Sequence, residues 1–189
     1  MKKIQTIKPI IKNTIYKNKE IIKKELNNFF HWVKGAELVD LKECNTSEDP
    51  VRPELDNEFR TSSGRKIYGV KYKEQIHAVM CFAFTNEIPK SVKDLDQLSQ
   101  DAFLQSTLRD QQVGKIAVAY TVWSKKKGGG KLIVNEVFKK IKKSNHLNRL
   151  ITLSPLTDMA TKFHLRNGAK LLQINETTQN FEYKLLKKN

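Results

Sequence analysis

Phe163-His164-Leu165-Arg166-Asn167-Gly168-Ala169 follows Leu153-Ser154-Pro155 by the length of one short helix. Asn167-Gly168 is a helix stop, because glycine takes the left-handed cap conformation at no Cβ cost. Thr157 or Asp158 offers the matching N-terminal cap. The spacing predicts a short helix set between a strand at Arg149 to Leu153 and another at Ala169 to Ile174. Ser154 then stands at the end of one element and His164 near the end of the next. Such a placement suggests a hydroxyl and an imidazole facing one pocket.

Upstream, Lys125-Lys126-Lys127-Gly128-Gly129-Gly130-Lys131 joins a strand-like run to a helix-like one. The strand reads Ile116, Val118, Tyr120, Val122. The helix, from Lys131 to about Ser144, aligns Ile133, Val134, Val137, Phe138 and Ile141 on one face. Glycines at a strand-to-helix turn let backbone N–H groups approach a ligand closely. The helix N-terminus adds partial positive charge, which suits phosphate. The glycine spacing fits neither a Walker loop nor a Rossmann turn. A plain flexible loop is the alternative reading.

Further upstream, Lys66 to Tyr72 and Gln75 to Thr85 read as a hairpin across Lys73-Glu74. The run Ala78 to Phe84 is apolar throughout, as a central strand covered on both faces would be. Pro89 and Ser91 open a helix carrying Leu95, Leu98 and Phe103. Residues 42–64 are rich in turn formers and read as a long loop, with a helical turn near Glu54 to Phe59. Asn18 to Val33 is amphipathic, with Ile22, Leu26, Phe29, Phe30 and Val33 on one face. Residues 1–18 read as a basic arm or an initial strand. A final strand is expected over Asn180 to Leu186. The order implies an α+β or α/β domain around one mixed sheet. A chain of 189 residues suits a single domain over 1–189, with an arm and helix in 1–40.

No apolar run approaches the 18–20 or so residues that span a bilayer. The N-terminal lysines precede no signal-peptide core. The two cysteines, Cys44 and Cys81, suggest neither a disulfide framework nor a metal site, so a cytoplasmic location is expected. His31, His77 and His146 have no companions at metal-ligand spacing, and no metal is expected. The net charge of +15 favours anionic partners. It also fits a chain rich in Lys, Asn and Ile together, as AT-rich coding produces.

Lys125-x-x-Gly128-x-Gly130 resembles the acyl-CoA pyrophosphate site of the GNAT acyltransferase superfamily, with lysine in place of its Arg or Gln. Ala160-x-x-Phe163-His164-x-x-x-Gly168 resembles that superfamily's helix after the fifth strand, where tyrosine often occupies the position of His164. Within it, residues 66–186 look like the catalytic domain of malonyl-CoA decarboxylase. The matching stretches are Phe82-Ala83-Phe84-Thr85 with Ile88-Pro89-Lys90-Ser91, Thr152-Leu153-Ser154-Pro155, Phe163 to Ala169, and Asn180-Phe181-Glu182-Tyr183. The chain would be a compact form, without the family's helical domain and its long insert between the serine and histidine motifs.

The resemblance implies a GNAT-like, mostly antiparallel sheet flanked by helices. It implies Ser154 and His164 as a catalytic pair and Tyr183 as their support. It assigns Lys125, Lys126, Lys127, Gly128, Gly129, Gly130 and Lys131 to CoA binding. Malonyl-CoA or another acyl-CoA would be the partner, with no cofactor beyond the thioester itself. On that basis Ser154 orients the substrate carboxylate. His164, at its ordinary pKa of about 6.5, protonates the α-carbon. Backbone N–H groups at the end of the Ile116 to Ser124 strand stabilise the oxyanion. Two alternatives stand beside it: transfer of an acyl group to an amine, and a non-catalytic basic module for RNA or anionic lipid.

Overall fold

The computed structural model describes residues 3–109 and 111–185. The chain divides into two compact units, Met1–Ala36 and Glu37–Asn189. The first is one helix, α1 (Lys3–Gly35). The region read as an arm or strand is therefore helical from Lys3 onward. This stretch holds no glycine, and its single proline, Pro9, lacks the N–H that would donate to the carbonyl of Gln5, a local loss that the helix spans. Its apolar residues Ile22, Leu26, Phe29 and Phe30 are exposed.

The second unit carries the sheet. Its strands are β1 (Glu37–Leu41), β2 (Lys66–Tyr72), β3 (Gln75–Thr85), β4 (Ile116–Ser124), β5 (Arg149–Thr152), β6 (Ser154–Pro155), β7 (Lys170–Ile174) and β8 (Thr178–Tyr183). They order as β1-β2-β3-β4-β5-β8-β6, and β7 also pairs with β8. Every pairing is antiparallel except β4 with β5. The β2–β3 hairpin turns on Lys73 and Glu74, both at positive φ (49° and 62°), the backbone that matches strand twist in a two-residue loop. The expected last strand begins two residues earlier, at Thr178, and ends at Tyr183; Leu186 lies outside the described residues.

Helices α2 (Asn57–Thr61), α3 (Val92–Leu108), α4 (Gly129–Lys142) and α5 (Asp158–Arg166) complete the unit. Ser91 caps α3 by accepting from Asp94 N at 3.0 Å. Thr157 caps α5 by accepting from Ala160 N at 3.2 Å. Strand alternation sorts the helices by face. Ile67, Val79, Cys81, Ala83, Val118 and Trp123 form one core with Leu95 of α3, and Phe59 of α2 packs on it. The opposite face, with Tyr68, Ala78 and Ser124, meets α4: Lys140 lies over the Tyr68 ring, and Gly129 abuts Ser124 and Ala78.

The β3–β4 register shifts between Cys81 and Phe82. Cys81 pairs with Thr121 and Phe82 with Ala119, so Tyr120 is an extra, bulged residue. On its other side β4 pairs with β5 only as far as Ala119↔Thr152. Beyond that point the sheet is forked, and the fork positions the site.

Candidate active site

Ser154 leaves the fork on β6, immediately after Leu153, whose N–H gives its hydrogen bond to Ala119 O at 2.8 Å. His164 lies in the last turn of α5. The two side chains meet: Ser154 Oγ is 2.8 Å from His164 Nε2. Tyr183, on β8, closes the other end of the imidazole, with its hydroxyl 3.0 Å from Nδ1. All three are buried. The three residues expected to act together are thus assembled, and the tyrosine touches the histidine rather than the serine.

One arrangement of hydrogens satisfies every contact in this row. Ser154 Oγ donates to Thr152 Oγ1 at 3.1 Å, and Phe181 N–H donates to the same Thr152 oxygen at 3.1 Å. With the serine hydrogen so committed, His164 donates from Nε2 to Ser154 Oγ. Nδ1 is then the acceptor, and Tyr183 O–H donates to it. The ring is held by stacking on Phe181 (centroids 4.9 Å apart, planes at 28°) and by the edge contact with Phe163 at 5.2 Å.

Burial pushes the His164 pKa down to about 4. It also raises that of Tyr183. The imidazole is therefore neutral at physiological pH, with its pKa well below the ordinary value of about 6.5. No carboxylate touches it to hold a proton there, and desolvation disfavours the charged form.

A cleft of about 240 Å³ opens beside the pair. Ser154, His164 and Phe163 form one wall, Met80, Val122 and Ser124 the strand wall, and Pro50 and Val51 the floor beyond the fork. Its lining contains no Asp, Glu, Lys or Arg.

The glycine turn lies at one end of this cleft. Gly128, the residue before α4, sits at φ 83°, open to glycine and strained for other residues. Gly130 lines the cleft, and a Cβ there would stand 3.1 Å from the Phe163 ring. The lysines divide. Lys125 is paired with Glu48 at 2.7 Å, and Lys126 lies over the Tyr72 ring at 4.8 Å. Lys127 and Lys131 are exposed. The turn is therefore less positive than its sequence suggests. Lys125 and Lys126 face the β2–β3 hairpin, where a second cleft holds Cys44, Glu48, His77 and Lys125.

Residues 42–64, read as a loop, hold a buried charged cluster that the sequence reading missed. Asp49 accepts from Val51 N, Arg52 N, Thr121 Oγ1 and Arg60 Nη2, the last at 2.9 Å. Arg60 also donates to Leu55 O and Arg52 O, and reaches Cys81 Sγ at 3.3 Å. Arg52 donates from Nε to Tyr120 O at 2.9 Å and from Nη2 to Leu153 O at 3.1 Å. One guanidinium thus bridges the two strands where their pairing stops. The partners lie 68 to 101 positions away, so no local spacing announces them.

Among the described residues no group of three or more His, Cys, Asp and Glu is placed to hold a metal. None of their helices is long and apolar enough to cross a membrane.

The mixed sheet, the fork and the flanking helices define a GNAT-like fold, and comparison with solved structures agrees. The GphF GNAT-like decarboxylase in complex with isobutyryl-CoA is similar at TM-score 0.61 and 9% identity, covering 79% of this chain and 99% of that one. A Bacillus subtilis acetyltransferase in complex with CoA is similar at TM-score 0.54 and 11% identity, covering 80% and 99%. A malonyl-CoA decarboxylase from Cupriavidus metallidurans gives TM-score 0.44 and 20% identity over 66% of this chain, which spans 31% of that protein's length. No protein-family model matches the chain, and no curated protein matches it.

Proposed function

We propose that the unit beginning at Glu37 is an acyl-CoA-binding enzyme that decarboxylates malonyl-CoA, or a related malonyl thioester, to acetyl-CoA. The observation that carries this reading is the buried, neutral Ser154–His164 pair on the wall of a cleft lined by no charged side chain. The ligand class is taken from proteins of this fold, which include complexes with CoA and isobutyryl-CoA.

The chemistry follows from the geometry. A malonyl thioester loses carbon dioxide when the electron pair of its C–C bond moves into the thioester carbonyl. The product enolate then takes one proton at the α-carbon. An apolar cleft disfavours the substrate carboxylate more than the transition state, where the charge is spread. Ser154 O–H turns from Thr152 to the substrate, and His164 Nε2–H holds its oxygen. A proton passed from Ser154 to the α-carbon is replaced from Nε2, Nδ1 takes the proton of Tyr183, and one proton from solvent, the one that decarboxylation consumes, restores the tyrosine and the starting tautomer. Neutral imidazole suits this relay, because it gives a proton at one ring nitrogen as it takes one at the other. At the turn, the N-terminus of α4 faces the pyrophosphate, with Lys127 and Lys131 nearby.

Acyl transfer to an amine needs a base for the incoming ammonium. The cleft offers no carboxylate, and His164 binds protons weakly. Mass spectrometry of the products from malonyl-CoA alone separates the two activities. A decarboxylase makes acetyl-CoA without an acceptor, and Ser154→Ala lowers that rate by roughly 10²-fold. Equal rates in wild type and variant would reject the role of Ser154. Product only after an amine is added would reject decarboxylation.

A further inference from the structure

The fork opens into the cleft, whose lining draws on both faces of the sheet, and the segment Asp49-Pro50-Val51-Arg52 lies across it. Pro50 and Val51 form the floor of the cleft. Their backbone is fixed from below by Asp49, which accepts from the N–H groups of Val51 and Arg52 (2.9 and 3.1 Å). Asp49 is tied in turn to Thr121 of the bulge and to Arg60. Arg52, 7% exposed, takes the carbonyls of Tyr120 and Leu153, one from each prong. An apolar contact would fill the same gap at lower cost, since burying a guanidinium carries a large desolvation penalty. What the guanidinium adds is a link across two strands that no longer pair.

We infer that Asp49–Arg52 is a seal that shuts the far side of the fork against water and other nucleophiles, making Val51 and Arg52 determinants of decarboxylation over acyl transfer. The inference rests on the acyl-CoA reading above. A thioester held at the fork presents an electrophilic carbonyl carbon. A nucleophile reaching it forms a new bond to that carbon and breaks the C–S bond. Coenzyme A departs as thiolate and takes up the proton that the nucleophile loses. With the floor in place, attack from beneath it is blocked. The remaining approach, through the cleft mouth, is occupied by the substrate's own pantetheine arm.

The test uses the full chain with acetyl-CoA and hydroxylamine, following free CoA thiol and acetohydroxamate. Wild type should release thiol no faster than the uncatalysed reaction. Val51→Gly removes the floor side chain and keeps the N–H that Asp49 holds. Arg52→Ala unlinks the prongs. Each should raise hydroxamate formation by about 10-fold or more, as water and nucleophiles enter a site built to exclude them. Arg52→Lys, which keeps the charge and one donor, should lie between Arg52→Ala and wild type. Calorimetric CoA binding and a thermal melt are measured on every variant, and Val51→Gly decides the matter where Arg52→Ala does not fold. Folded, CoA-binding variants that leak no more than wild type overturn the seal and leave the acyl-CoA reading standing. Efficient hydroxamate formation by wild type also overturns the seal. Absence of CoA binding by wild type overturns the acyl-CoA reading, and the seal with it.

Discussion

Two buried polar clusters flank one fork, and they are built in opposite ways. On the α5 side, Tyr183, His164, Ser154 and Thr152 are neutral and linked in single file. On the loop side, Asp49, Arg52 and Arg60 are charged and cross-linked, with Asp49 accepting from four groups. A single-file neutral chain can shift its protons and keep its shape. A branched ionic cluster cannot lose a member without leaving a charge stranded. The first arrangement suits chemistry and the second suits a fixed frame.

Substitutions can break that contrast, and the largest effect belongs to the frame. Asp49→Ala leaves Arg60 buried without its carboxylate, and about 3–5 kcal/mol of stability should be lost. Urea unfolding measures it. A loss under about 1 kcal/mol would mean that the cluster is wet and is no frame at all.

Acid probes the other cluster. The folded pKa of His164 is lowered to about 4, against about 6.5 when unfolded. Between those values the unfolded chain binds the extra proton. The stability owed to a neutral His164 is therefore complete above about pH 6.5 and lost as pH falls toward 4, by about 3 kcal/mol. The difference between wild type and His164→Gln, followed by unfolding at pH 7, 5.5 and 4.5, isolates it. A pH-independent difference would show that the imidazole stays hydrated. Decarboxylation should hold its rate down to about pH 5 and fall only as pH approaches 4.

Smaller effects sharpen the division. Tyr183→Phe removes the hydroxyl at Nδ1 and should cut the rate of acetyl-CoA formation by about 10-fold with KM little changed. A change in KM alone would move Tyr183 from the relay to the pocket wall. Lys125→Ala should shift CoA affinity by well under 1 kcal/mol, because its partner Glu48 already answers its charge at a half-exposed site. Titration calorimetry against Lys127→Ala ranks the two lysines.

The same division explains what could be read in advance. The hairpin, the caps at Ser91 and Thr157, and the helix after the glycine turn follow from local pattern, although that helix starts at Gly129, two residues before the expected Lys131, and takes in two glycines read as turn. Ser154 and His164 are ten positions apart, so one turn of strand and a short helix fix their meeting. The frame escaped notice because Asp49 meets Thr121 across 72 positions and Arg52 meets Leu153 across 101. Sequence shows there only a polar stretch with two prolines. The shift in His164 acidity also escaped notice, since it comes from Phe181 and Phe163 closing over the ring. Strand β6, two residues long, is too short for alternation to declare it, and in β1 the apolar Leu38, Val39 and Leu41 do not alternate.

That reach of 101 positions has a consequence for biosynthesis. Chains emerge from the ribosome N-terminus first, and domains tend to complete in that order. Arg52 leaves long before the carbonyl of Leu153 exists for it to bind. Until then the nascent sheet holds a cation beside an unfinished edge, a poor place to settle. Cooperative closure of the fork must wait for β5, and a ribosome stalled ahead of that strand would present a chain that chaperones and proteases can still grip.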